Sequence, residues 1–89
     1  MKIKDGFVVR KIANQYMAVP VGARAKELHG IIGLNETAAF LWELLNEDRT
    51  EEELAALLYD EYEISEEGAL DTVCRFCKSL QDEGVLEHV

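Results

Sequence analysis

Apolar positions along this chain change their spacing at Asn35, and the change divides the predicted elements into two kinds. Before it, Phe7-Val8-Val9-Arg10-Lys11-Ile12 and Gln15-Tyr16-Met17-Ala18-Val19-Pro20 are rich in β-branched and aromatic side chains. The pair Ala13-Asn14 between them fits a short turn, so the two runs predict a β-hairpin. Pro20 has no backbone donor and suits the end of an edge strand. The polar stretch from Gly22 to Glu27 reads as a loop. A third short strand is predicted over Leu28-His29-Gly30-Ile31-Ile32-Gly33-Leu34. Alternation there puts Ile32 and Leu34 on one face and Ile31 and Gly33 on the other.

From Asn35 onward the period is helical. Asn35 is a suitable N-cap, and Ala38, Leu41, Trp42 and Leu45 fall on one face. Asn46-Glu47-Asp48-Arg49 is a connector. Thr50-Glu51-Glu52-Glu53 has the form of a capping box, in which the Thr50 hydroxyl accepts from the Glu53 amide and Glu53 reaches back. Leu54, Leu57, Leu58 and Tyr62 make the predicted buried stripe of the second helix. Ser65-Glu66-Glu67 opens a third, with acids at the positive end of its dipole. Ala69, Leu70, Val73, Phe76, Cys77 and Leu80 form its apolar face. Gly84 stands where a left-handed C-cap belongs, and Val85-Leu86 continues as a short return segment. Three strands then precede three helices of about 11, 12 and 18 residues. The expected fold is α+β, winged helix-turn-helix-like: a three-stranded antiparallel sheet followed by three helices, in one domain over residues 1–89.

Size and charge narrow the function. An 89-residue chain has one small core and little room for a deep active-site cavity. No apolar run approaches the ~18 residues that span a membrane, and no signal-peptide region opens the chain, so the expected compartment is the cytoplasm. The net charge is −9, unevenly spread. Residues 1–34 carry six bases and two acids, whereas residues 35–89 carry three bases and sixteen acids. A nucleic-acid partner needs a basic face to displace counterions, and the predicted third helix, Glu66 to Glu83, holds five acids and two bases. That disfavours a winged-helix transcription regulator.

Little in the chain invites catalysis. Cys74 and Cys77 are i,i+3 in one helix, a poor disulfide geometry, and lie mid-helix rather than at an N-terminus where a reactive thiol is favoured. A zinc site would need two further ligands. Carboxylates abound, but no His, Ser or Lys constellation accompanies them, and no Gly-rich phosphate loop is present. Trp42 reads as core, with a surface anchor as the alternative. Glu51-Glu52-Glu53 is helix-start chemistry. Asp60-Glu61-Tyr62-Glu63 is either a solvated helix end or a docking point for a basic enzyme surface. No catalytic residue, metal or cofactor is expected.

The stretch Ile31-Ile32-Gly33-Leu34-Asn35-Glu36-Thr37-Ala38-Ala39-Phe40-Leu41-Trp42-Glu43-Leu44-Leu45 resembles the PqqD family, named for coenzyme PQQ synthesis protein D. There a short strand leads into "LNETA" and an apolar helix carrying Trp-x-Leu-Leu. Thr50-x-x-Glu53-Leu54-Ala55, the aromatic Tyr62, and Phe76-x-x-x-Leu80-x-x-x-Gly84-Val85-Leu86 extend the match over about residues 5–87. The resemblance implies a recognition element for ribosomally made, post-translationally modified peptides. Its partners would be the leader of a precursor peptide and a modifying enzyme, usually a radical S-adenosylmethionine enzyme. The leader would add as an antiparallel strand to the third strand and lie against the third helix.

The residues suit that role. A short third strand followed at once by a helix leaves one edge whose N–H and C=O groups can pair with a guest. Gly30 and Gly33 would admit a guest backbone closely, or serve only as turn and bulge residues. Leu28, Ile31 and Ile32 complete the strand side of the expected site, although Ile31 has the alternative of packing under the sheet. On the third helix the flank Asp71, Cys74, Lys78 and Gln81 is the expected contact, with Thr72, Arg75 and Ser79 as the competing flank. A scaffold that binds only the enzyme is the rival function. An open edge also permits self-pairing, so a monomer or weak homodimer is expected.

Overall fold

In a computed structural model the described residues are 1–22 and 31–87. The elements run β1 (Lys2–Ile3), β2 (Phe7–Ile12), β3 (Gln15–Pro20), β4 (Ile32–Leu34), α1 (Glu36–Leu44), α2 (Glu51–Glu61), α3 (Glu66–Glu83) and β5 (Leu86–Glu87). The architecture is α+β, with a three-stranded antiparallel sheet followed in sequence by three helices. The chain divides into two compact units, Lys4–Phe40 and Met1–Ile3 with Leu41–Val89.

The strand unit is built on the hairpin predicted from Ala13-Asn14. Its register runs from Phe7↔Pro20 to Ile12↔Gln15. Ala13 takes φ 58°, the sign that a primed two-residue turn requires at its first central position. β4 pairs with β3 through Tyr16↔Leu34, Met17↔Gly33 and Ala18↔Ile32, giving the strand order β2-β3-β4. The Asn35 side chain accepts from the Ala38 amide at 2.7 Å, which starts α1 as the sequence predicts. The predicted third strand is observed only over Ile32–Leu34; Ile31 is described but falls outside it, and Leu28–Gly30 lies outside the described residues, as does most of the preceding loop.

The helical unit carries most of the core. Leu41, Trp42, Leu45, Leu54, Leu58, Val73, Leu80 and Val85 are at most 2% exposed. Burying each such side chain stabilises by about 1.5–3 kcal/mol, so these positions dominate stability. Trp42, 1% exposed, is core and not a surface anchor. Both arms of the predicted capping box form: the Glu53 amide donates to Thr50 Oγ1 at 3.1 Å, and the Thr50 amide donates to Glu53 Oε1 at 3.2 Å. Ser65 caps α3 by accepting from the Gly68 amide at 3.0 Å. Gly84 closes α3 with φ 74°, a conformation glycine adopts without steric cost.

Two features depart from the sequence reading. Leu70 is 44% exposed instead of joining the apolar face of α3. It follows Ala69, which is fully buried, and the 100° step between neighbours carries Leu70 off the buried stripe. The second departure is an additional two-stranded sheet in which β1 pairs with β5, Lys2↔Glu87 and Ile3↔Leu86. The Ile3 amide donates to Leu45 O and the Arg49 amide to Met1 O, both at 2.9 Å. Two-residue strands carry almost no periodic signal, so only the return at Val85-Leu86 was legible.

Candidate functional site: the β4 edge and the flanks of α3

Pairing parity decides which way the β4 backbone points. In antiparallel strands, hydrogen-bonded and non-hydrogen-bonded pairs alternate, and a two-residue hairpin closes on a hydrogen-bonded pair. Ile12↔Gln15 is therefore bonded, as are Arg10↔Met17 and Val8↔Val19. The same alternation continues to Gly6 and Val21, where the Val21 amide donates to Gly6 O at 2.9 Å. Met17 thus directs its backbone groups at β2, while Tyr16 and Ala18 direct theirs at β4. Across the second ladder, Leu34 and Ile32 are consequently bonded to β3. Gly33, opposite Met17, points its N–H and C=O away from the sheet.

The side chains at this edge match that geometry. β4 ends the strand order, and among the described residues no strand pairs with its outer edge. Ile31 is 58% exposed, whereas Leu34 is 8% exposed, so the predicted alternation of faces holds. The alternative in which Ile31 packs under the sheet does not occur. A Cβ placed on Gly33 meets nothing within 4 Å, and its φ lies outside the left-handed range. Neither sterics nor dihedral angle in the described chain calls for glycine here, although glycine weakens a strand by roughly 0.5–1 kcal/mol. Leu28 and Gly30, the remaining strand residues of the expected site, lie outside the described residues.

On α3 the two candidate flanks are joined by an ion pair. Arg75 Nη2 lies 2.7 Å from Asp71 Oδ2, with both side chains mostly exposed; such a surface pair is worth about 0–1 kcal/mol. Cys74 is exposed, and its thiol donates to Glu51 Oε2 on α2 at 2.9 Å. That hydrogen bond, with some desolvation and the nearby acids behind it, holds the Cys74 pKa above the usual thiol range. Cys77 is buried, and burial pushes its thiol up to about 11. Both cysteines are protonated at neutral pH, the opposite of a reactive thiolate. Lys78 and Gln81 are exposed, as is Ser79 on the other flank, where Thr72 is half-buried. Sequence reasoning did not find the Cys74–Glu51 contact, because no local spacing relates α2 to α3.

No group of three or more His, Cys, Asp or Glu positioned to hold a metal occurs among the described residues. No described helix is long and apolar enough to cross a membrane.

A small antiparallel sheet ending at β4, whose outer edge pairs with no strand among the described residues, and a capped three-helix segment define the class: an α+β domain. The model of the family "Coenzyme PQQ synthesis protein D (PqqD)" matches residues 25–86, and the chain belongs to the PqqD family. A solved structure described as "TbiB1 in Complex with the TbiA(beta) Leader Peptide" is similar to it in fold, with a TM-score of 0.75 and 22% sequence identity. The alignment covers 100% of this chain and 98% of that one. No curated protein matches the chain.

Proposed function

We propose that the chain acts as one recognition domain, over residues 1–89, that captures the leader segment of a ribosomally made precursor peptide. The leader adds as an antiparallel strand to β4, one flank of α3 supplies side-chain contacts, and the captured peptide is presented to a separate modifying enzyme. The chain itself catalyses no reaction. A cytoplasmic location and an enzyme of the radical S-adenosylmethionine type complete this reading.

The observation that carries it is the outward N–H and C=O of Gly33 on an edge with no described strand partner. Main-chain pairing gives sequence-tolerant affinity, and Ile31 offers an exposed apolar contact beside it. The TbiB1 structure, a fold relative described as holding a leader peptide, supports the same assignment. Because a disordered leader orders itself on binding, an affinity on the order of micromolar or somewhat tighter is expected. Asp71, Cys74, Lys78 and Gln81 remain the proposed α3 contacts. The acidity of α3 keeps the transcription-regulator reading disfavoured.

The test is a titration of the full chain with the leader encoded beside its gene, followed by calorimetry and amide chemical shifts. Shift changes should concentrate at Ile31 to Leu34 and on one flank of α3. Gly33→Pro removes an outward donor without removing a β3–β4 ladder bond, so it should weaken leader binding about 10-fold or more while the chain stays folded. Unchanged affinity in that folded variant would overturn strand addition. A chain that ignores leader but binds the enzyme tightly would be a scaffold, and a concentration-dependent mass would show self-pairing through the same edge.

A further inference from the structure

Within the helical unit, α2 and α3 leave an apolar groove of about 340 Å³ between them, near the lower end of the roughly 300–1,000 Å³ of ligand-sized sites. Ala55 and Ala56 are short enough to leave the concavity, and Tyr59 and Leu70 form its apolar walls. Tyr59 is 46% and Leu70 44% exposed, so two large apolar side chains of the same groove are open to water. Around them stand the carboxylates of Glu52, Asp60 and Glu66, and no Lys or Arg lines the groove. A shallower depression continues from Tyr59 and Asp60 past Glu61 and Glu63 to Ile64, again without a base, and Ile64 is 36% exposed.

An aromatic and aliphatic centre enclosed by charges of one sign is the layout of a protein-docking surface: the centre supplies affinity, and the rim supplies steering and selectivity. The sign excludes phosphate-bearing partners and selects a basic one. We propose that this α2–α3 groove docks the modifying enzyme, receiving a basic segment that carries one large apolar side chain. The assignment rests on the reading of the chain as a leader escort. An escort must hold leader and enzyme together, and the groove uses no residue of the β4 edge and none of Asp71, Cys74, Lys78 or Gln81. It also gives a role to Leu70, an apolar side chain that the core does not use.

The experiment measures, by surface plasmon resonance on the full chain, binding of the modifying enzyme encoded beside its gene and, separately, of the leader. Two variants are compared with the wild type: Leu70→Asp, and the double charge reversal Asp60→Lys with Glu66→Lys. Each should raise the enzyme Kd about 10-fold or more and leave the leader Kd within about twofold. The charge reversal should also abolish the loss of affinity on raising salt. Circular dichroism checks folding; if Leu70→Asp unfolds, the charge reversal at exposed positions decides. Enzyme affinity within about twofold of wild type in the folded variants, or a wild type that binds no enzyme, overturns the groove assignment. A wild type that binds enzyme through the groove but no leader overturns leader capture alone.

Discussion

The two units of this small protein distribute their buried surface very differently. Of the buried apolar side chains among the described residues, only Ala18, Leu34 and Ala39 belong to the strand unit; the helical unit holds the rest, including every large one except Leu34. The strand unit exposes Val8, Ile12, Val21 and Ile31, and its β4 edge pairs with no strand among the described residues. Stability is thus concentrated in one unit, and backbone pairing capacity is left open in the other. Local opening is least costly where few apolar contacts are buried, which in this chain is the strand unit.

The sharpest challenge to this division is Trp42→Ala, which should cost about 3–5 kcal/mol by urea denaturation. A loss below about 1 kcal/mol would show that the helical unit is not the stabilising part. Next in size is the binding loss of Gly33→Pro, whose counterpart on the apolar side is Ile31→Asp. Both should lower leader affinity by about 1.4 kcal/mol or more while leaving the denaturation midpoint nearly unchanged. A large drop in midpoint would mean that the edge is structural. Thr50→Ala removes one arm of the capping box and should cost about 1 kcal/mol of stability with no change in leader affinity.

Smaller effects separate the units further. Ala13→Gly relieves a positive φ in the hairpin turn and should raise stability by about 0.5–1 kcal/mol, read as a higher melting temperature. Cys77 gives a pH test confined to the helical unit. Its folded pKa of about 11 exceeds its ordinary value of 9.0, so above pH 9 the unfolded chain releases a proton that the folded chain retains. Stability should therefore be unaffected below that value and fall as pH rises through the interval up to about 11. Thermal melts of wild type and Cys77→Ala at neutral and alkaline pH isolate this contribution, which vanishes if the two curves run parallel.

Local physics was readable directly from the residues. Capping at Asn35, Thr50 and Ser65, the left-handed Gly84 and the hairpin about Ala13-Asn14 each depend on a few neighbouring side chains, and all were identified from them. The alternation that exposes Ile31 and buries Leu34 is equally local. By contrast, the extent of β4 and the β1–β5 pair depend on which distant segments meet, and so does the orientation of Cys74 toward Glu51.

What the chain's order of residues determined by itself was element type and the faces of most elements. Periodicity and capping act within one turn or one hairpin, over distances where sequence spacing is spatial spacing. Tertiary structure alone decided that Gly33 turns its peptide groups outward, because that parity passes from the turn through β3 into β4. It alone decided that Leu70 and Tyr59 share a groove, because side chains on two separate helices become neighbours only after those helices pack.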